Sequence, residues 1–468
     1  MRLPQQAPTL PDVLRSLGDE RLQVILAAGI GPSVGGRYLH WDDIRHRTPP
    51  LDLSVREWWA AIRFARSVSA RHLPLVSASG QPFTYTLPDE ALELLHWIDQ
   101  YGAGAILTTE AIDEPALKRR YLVSTLIEEA ITSSQLEGAA TTRKVAKDML
   151  RSGRSPRDKS ERMIANNYLA MQALADFRDQ PMTPEIVSGL QRRLTEGTLH
   201  DPDAAGRIQR PGEERVRVVA SDGTVVHVPP PADQLAERLV SMCAFANGET
   251  GDGFIHPVVR AIVLHLWLGF DHPFEDGNGR TARALFYWSM LRSRYWIVEF
   301  LSISRVILRA PAQYSRAFQH TERDGFDATY FVLHQLRVIK QAIEDVQSYL
   351  REKMAELRRA SRLLRDTDLN HRQIALLSHA MRHPDAEYSF QSHQTSHRVA
   401  FQTARTDLLD LEQRGYLERI RRGKRFFFLP VSDLDRQIAG PKVLLVSSGE
   451  TAPPSRRLDD DAVRPREG

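Results

Sequence analysis

The sequence predicts a mainly α protein: a helical bundle interrupted by one small β-hairpin, followed by a compact helix-rich C-terminal unit. Three observations lead there. Apolar residues recur at spacings of three and four through Tyr121, Leu122, Leu126, Ile127 and Ile131. Two short Val-rich runs flank an Asp-Gly pair, and after residue 369 three short helical patterns precede two strands. The 468 residues are 42% hydrophobic and 26% charged with 27 Gly and 27 Pro, so collagen-like, low-complexity and wholly disordered classes are excluded. The runs Val24–Ile30 and Ala261–Phe270 are too short to cross a bilayer. A single cysteine, Cys243, cannot form an internal disulfide, and the first residues lack a basic stretch followed by an apolar one. A cytoplasmic protein with no membrane partner is expected.

Each part follows from its own pattern. Residues 1–110 mix short helices with turn-rich pieces and carry Trp41, Trp58, Trp59 and Trp97, the anchors of an accessory region with no evident chemistry. Residues 111–345 are mostly helical and form the largest unit. Within it, Val216–Val219 and Thr224–Val228 read as strands joined by Ser221-Asp222-Gly223, where Asp-Gly suits a tight hairpin, and Pro229, Pro230 and Pro231 end the second strand. Phe331 to Arg365 reads as one long helix whose seam of Leu336, Ile339, Ile343, Val346, Leu350 and Leu357 is close to a heptad. It supplies a linker helix at 346–368, and the seam leaves a homodimer contact open. A unit at 369–436 follows, and residues 437–468, rich in Pro and charge, read as a disordered tail.

The chemistry concentrates in Asp271-His272-Pro273-Phe274-Glu275-Asp276-Gly277-Asn278-Gly279-Arg280-Thr281-Ala282-Arg283, a loop between two apolar helices. Gly277 and Gly279 around Asn278 permit a nest of backbone N–H groups at a helix N-terminus, where phosphate oxygens bind. Arg280 and Arg283, three apart, sit in the first helical turn against the bias of the helix dipole. Two guanidinium groups there make sense when a multiply charged anion fills the site. Asp276 offers one hard oxygen ligand beside that nest, which suits magnesium completed by water and substrate phosphates. His272 is the loop's only side chain with a proton affinity suited to a general base near neutral pH. Together these imply attack by a hydroxyl on a nucleotide phosphate.

This segment resembles the signature of the Fic domain family, His-Pro-Phe-x-Asp/Glu-Gly-Asn-Gly-Arg-x-x-Arg, at every specified position. The resemblance implies a mainly helical bundle that transfers AMP from ATP to a Ser, Thr or Tyr hydroxyl of a target protein or of itself. It implies that His272 is the base, that Asp276 holds Mg2+, and that Gly277, Asn278, Gly279, Arg280 and Arg283 bind the phosphates. It also implies that the hairpin is a flap pairing with the target's backbone, and that Tyr314 lines the adenine pocket. Upstream, Ser133-Ser134-Gln135-Leu136-Glu137-Gly138 resembles the family's self-inhibitory motif, Ser/Thr-x-x-x-Glu-Gly/Asn. There Glu137 would pair with Arg283 and take the place of the γ phosphate, with Ser133 and Gly138 completing the motif.

Residues 370–430 hold ten Lys and Arg against six Asp and Glu, a local +4 that leaves −1 for the rest of a chain whose net charge is +3. Helices at Arg372–Arg382, Phe390–Ser396 and Phe401–Arg414, then strands meeting at Arg421-Arg422-Gly423-Lys424, resemble a winged helix-turn-helix. Gln402, Thr403, Arg405 and Thr406 would open its recognition helix, with Arg421, Arg422, Lys424 and Arg425 on the wing, so DNA is a candidate partner. Two other readings stay open: a DNA-binding regulator whose core senses nucleotide, and an enzyme that removes AMP.

Overall fold

In the computed structural model the chain is described over residues 3–15, 19–102, 115–219, 223–250, 253–365, 367–383, 385–423 and 425–439. It forms two compact units, Met1–Ser348 and Tyr349–Gly468. The first begins with α1 (Leu10–Leu14), α2 (Asp19–Ala27), α3 (Trp41–Ile44) and α4 (Val55–Ser69), an antiparallel pair β1 (Arg71–Val76) and β2 (Pro82–Tyr85), and α5 (Asp89–Gly102). Ser54 and Glu57 form a reciprocal capping box that starts α4, whose Trp58, Trp59 and Ile62 pack with Trp41 and Ile44 in one apolar cluster. Trp97 stands apart against Tyr101, with Lys340 over its ring.

These residues do not form a separate body. The Ala7 N–H donates to the Arg323 carbonyl, the Tyr38 hydroxyl donates to Asp327 at 2.5 Å, and Thr84 pairs with the backbone of 326–328. The region before residue 103 thus belongs to the same compact unit as the bundle and braces its later part.

The bundle comprises α6 (Pro115–Leu136), α7 (Arg143–Ser152), α8 (Lys159–Phe177), α9 (Pro184–Thr195), the hairpin β3 (Val218–Val219) and β4 (Val225–His227), α10 (Leu235–Asn247), α11 (Pro257–Asp271), α12 (Asn278–Arg292), α13 (Ile303–Arg309) and α14 (Pro311–Arg323). At its centre stand α11 and α12, apolar on nearly every side: Ile262, Leu266 and Phe270 on one, Leu285, Trp288 and Met290 on the other, are all buried. Helices apolar all round belong in the middle of a protein. The loop joining these two carries the signature, so the packing of both helices fixes its ends. The hairpin is shorter than the sequence pattern suggests, with two registered pairs, Val218 with His227 and Val219 with Val225. Ser221 and Asp222 of its turn lie outside the described residues.

α15 (Thr329–Arg365) is one helix, and its Leu336, Ile339 and Ile343 are buried in the first unit. The second unit contains α16 (His371–Arg382), α17 (Phe390–His397), α18 (Phe401–Gln413), the antiparallel hairpin β5 (Leu417–Arg422) and β6 (Arg425–Pro430), and α19 (Leu434–Ala439). Leu376, Leu377, Leu408, Leu411, Leu417 and Phe428 form its core. Asp407, nearly buried, ties the three helices together by accepting from Arg372, Asn370 and His393. Residues 437–439 of the expected tail are the end of α19, and residues 440–468 lie outside the described residues, as does Lys424 of the expected wing.

Candidate functional site

α11 ends because His272 turns left-handed (φ +46) while its N–H still bonds the Leu268 carbonyl at 2.9 Å. That reversal lifts the imidazole off the helix. Its Nδ1 faces the Gly269 carbonyl at 3.4 Å, an orientation that leaves Nε2 as the proton acceptor. Burial pushes its pKa down to about 4; the Gly269 contact opposes the shift, His227 and Arg215 add to it, and Glu137 offsets part of it. At neutral pH the ring is therefore an uncharged base.

The loop then closes on itself. The Asn278 side chain accepts from the Phe274 N–H at 3.0 Å and donates to its carbonyl at 2.8 Å, so the amide braces the turn instead of projecting into the site. Gly277 caps α12 at φ +81, and a side chain there would run into Thr195. No side chain caps α12, so its first N–H groups face outward without an intrahelical partner. The Asp276 carboxylate is 39% exposed and lies at the same end, 3.6 Å from Arg280.

Arg280 is buried. Its Nη1 donates to the Leu194 carbonyl at 2.7 Å, while Nε and Nη2 have no hydrogen-bond partner. A buried guanidinium with unused donors is costly unless an anion meets it. Arg283, one turn on, is engaged through Nε and Nη2: its Nε donates to the Ser133 hydroxyl at 2.8 Å and its Nη2 to the Ser133 carbonyl at 3.0 Å and to Glu137 at 2.8 Å. Glu137 is itself 26% exposed. Burial raises its pKa, but Arg283, with Arg280 and His272, outweighs that and holds the carboxyl below its ordinary value. Its carboxylate lies directly over Gly279, where any side chain would collide with it. Glu137 therefore occupies the space above the first turn of α12, between the two arginines.

What puts Glu137 there is the end of α6. Gly138, at φ +89, lets the Gly138 N–H bond the Gln135 carbonyl and the Ala139 N–H bond the Ser134 carbonyl, the two reversed bonds of a Schellman stop. Two turns earlier, the buried Glu129 accepts from the Ser302 hydroxyl at 2.9 Å and from the N–H and hydroxyl of Ser304. Tyr314 of α14 meets the buried His265 at 2.9 Å, and burial pushes its phenol up to about 12 beside the charges of Arg283 and Glu137.

Several supporting residues carry no motif and were not legible in sequence. Gln191 donates to the Asp276 carbonyl and accepts from the Gly206 N–H, Leu194 holds Arg280, and His265 holds Tyr314. A separate cavity of about 400 Å³ lies between α4 and the β1–β2 hairpin. Its Arg63 and Arg66 already face Asp324 and Asp327, so it offers no net charge to an anion.

Comparison with known proteins identifies the domain that carries the signature loop. Residues 181–290, which hold α9 through the signature loop to most of α12, match the Fic/DOC family. They form a Fic domain. The chain is 28% identical over 229 residues to protein adenylyltransferase fic-1 of Caenorhabditis elegans, covering 48% of this chain and 41% of that protein. It is 30% identical over 118 residues to protein adenylyltransferase Fic of Nematostella vectensis, covering 25% of each. The chain thus spans less than half the length of these relatives. A crystal structure of a Fic family protein from Desulfovibrio desulfuricans G20 shares the fold, with a TM-score of 0.51 at 20% identity over 74% of this chain and 97% of that one. The family match thus covers the central part of the bundle, and no helix of the described residues is long and apolar enough to cross a membrane.

Proposed function

We propose that this protein is an adenylyltransferase that moves AMP from ATP to a Ser, Thr or Tyr hydroxyl of a protein and that Glu137 holds it in an off state. The single observation that carries this reading is the pairing of Glu137 with Arg283 over Gly279, beside an Arg280 whose remaining donors are unmatched. The reaction needs a base, a phosphate cradle and compensation for charge. His272 accepts the hydroxyl proton, the hydroxyl oxygen bonds to the α phosphorus, and the bond to the departing diphosphate breaks. The α12 N-terminus and Arg280 receive the negative charge. With Glu137 in place, Arg283 cannot grip the terminal phosphate, and a like charge stands where that phosphate belongs.

The donor set fits a magnesium ion held jointly with ATP. Asp276 presents one exposed hard carboxylate at the phosphate end, and among the described residues no group of three or more His, Cys, Asp or Glu side chains encloses a metal by itself. Mg2+ bound there would neutralise phosphate charge. The buried Cys243, whose thiol burial pushes up to about 12, behaves as a core residue and suits a reducing, cytoplasmic setting.

The reading is tested by incubating the protein with magnesium and ATP labelled on the α or the γ phosphate. Protein-bound label is expected from the α position alone, faint in the wild type, strong in Glu137→Gly and absent once His272→Ala is added. Label retained from the γ position would mean a different phosphoryl chemistry.

The second unit supports DNA as a further partner. Arg405, Arg421 and Arg425 are exposed, and Phe401, 51% exposed, stands at the first turn of α18. Arg422 and Arg419 are already paired, with Glu387 and Glu412. Among the described residues of the expected recognition helix and wing, the basic side chains left for phosphate contacts are Arg405, Arg421 and Arg425, while Lys424 lies outside the described residues.

A further inference from the structure

An α-helix leaves its last carbonyls without intrahelical partners, and at α11 these are the carbonyls of the very turn that carries His272. Three consecutive ones are taken by side chains from the hairpin segment. The His227 Nε2 on β4 lies 2.7 Å from the Phe270 carbonyl oxygen, and the Arg215 Nη2, just before β3, donates to the carbonyls of Asp271 at 2.6 Å and His272 at 3.1 Å. The same guanidinium spans the hairpin, with Nε donating to the Pro230 carbonyl at 2.8 Å and Nη1 to the Gln209 side chain. Gln209 in turn donates its N–H to the Pro273 carbonyl at 2.8 Å, and the other face of His227 stands 2.9 Å from the Glu322 carboxylate on α14. With only two registered pairs, the hairpin cannot hold its own orientation and takes it from these contacts. A cation at a helix C-terminus is also favoured by the helix dipole.

We propose that Arg215 and His227 are positioning residues that fasten the hairpin to the His272 turn, so that the acceptor hydroxyl laid along the hairpin and the base are held in one frame. The inference rests on the adenylyltransferase reading and deepens it. Val219, Val225 and Val228 leave exposed apolar surface on the hairpin, which suits an added strand of acceptor protein. Were the pair absent, the hairpin would drift relative to His272, and misplacement on the ångström scale is costly to a reaction that depends on orientation. Nucleotide affinity should change little, since the contacts of both residues go to the end of α11, the hairpin segment and α14.

The test uses the full chain in the Glu137→Gly background and compares Arg215→Ala, Arg215→Lys, His227→Gln and the double variant Arg215→Ala/His227→Gln. Affinity for a non-hydrolysable ATP analogue is measured by calorimetry, and AMP transfer at saturating ATP by intact mass over time. The expected result is analogue affinity within about twofold of the parent and transfer lowered about tenfold or more by Arg215→Ala, partly recovered by Arg215→Lys, which keeps one donor. The double variant should lose less than the product of the single losses, because both act on one turn. Transfer unchanged in an active parent overturns the latch alone, as does a parallel loss of analogue affinity and transfer. A parent with no transfer at all overturns the adenylyltransferase reading and the latch with it. Should Arg215→Ala fail to fold, the Lys and Gln variants carry the comparison.

Discussion

Arg280 and Arg283 lie three residues apart on one helix face and yet have opposite fates, which is where residue-scale chemistry is most informative. Arg283 donates through Nε and Nη2 to Ser133 and Glu137, while Arg280 keeps two buried donors without a hydrogen-bond partner, its Nη2 only 3.6 Å from Asp276. A carboxylate of the protein meets Arg283 at hydrogen-bond distance, whereas Arg280, at ion-pair distance from Asp276, still has donors for a ligand. His272 lies beside them with its pKa at about 4. Because that value is depressed below the 6.5 of an ordinary imidazole, the neutral base persists on acidification and is lost only as pH falls through the depressed value. In Glu137→Gly the carboxylate that partly offsets this depression is gone, so kcat/KM for transfer should stay flat at least down to about pH 5 and fall only below it, an acid limb that marks the free-enzyme base. A limb near 6.5 would mean that another group titrates. His272→Ala should lower transfer by about 10²-fold to 10⁴-fold, read in the same assay. These residues were legible because one loop and the helix start after it carry them all within twelve positions, His272 to Arg283. Gln191, His265 and Leu194 were not, because a side chain that props another leaves no spacing pattern, and backbone carbonyls such as that of Leu194 have no sequence signal at all.

At the scale of elements, α6 matters through both its end and its anchor. The Schellman stop at Gly138 sets Glu137 over α12, and Glu129 bonds the same helix to Ser302 and Ser304 at the start of α13. Glu129→Ala would strip three donors of their acceptor, loosen α6 and let Glu137 leave Arg283. The expected result is partial AMP transfer in an otherwise wild-type chain, between the wild type and Glu137→Gly; transfer at the wild-type level would show that α6 needs no such anchor. In the second unit Asp407 plays the comparable part. Burial pushes its carboxyl up, but bonds from Arg372, Asn370 and His393 outweigh that and hold it at about 2. Because the folded value lies below the ordinary 3.8, its stabilisation is complete above about pH 4 and fades as pH falls towards 2. Asp407→Ala should destabilise this unit by about 3 kcal/mol, visible as faster amide hydrogen exchange in α16, α17 and α18. On the DNA reading, three arginine contacts give a slope of log affinity against log salt of about −3, and replacing Arg421 by Ala reduces it by about 1. The helices were legible from periodicity and caps. The brevity of the hairpin was not, since Val-rich runs mark strand preference and say nothing about how many residues find a partner.

For the whole molecule, the near-zero net charge of +3 conceals a division of labour. A Fic domain with two arginines at one helix start lies within the first unit, and the basic surplus lies within the second. The region before residue 103 acts through packing: Ala7, Tyr38 and Thr84 bond the stretch from Arg323 to Ala328 that joins α14 to α15. Nothing in its sequence pointed to that partner, because such contacts span more than two hundred residues and depend on the finished fold. On the proposed function, a catalytically complete site is kept idle by one carboxylate, Glu137. Intact-mass spectrometry of the wild type and Glu137→Gly after incubation with ATP and magnesium tests it most directly. An adduct of one or more AMP groups on the variant, with little or none on the wild type, is the predicted result. Equal modification of both, or none on the variant while it still binds ATP, would contradict it.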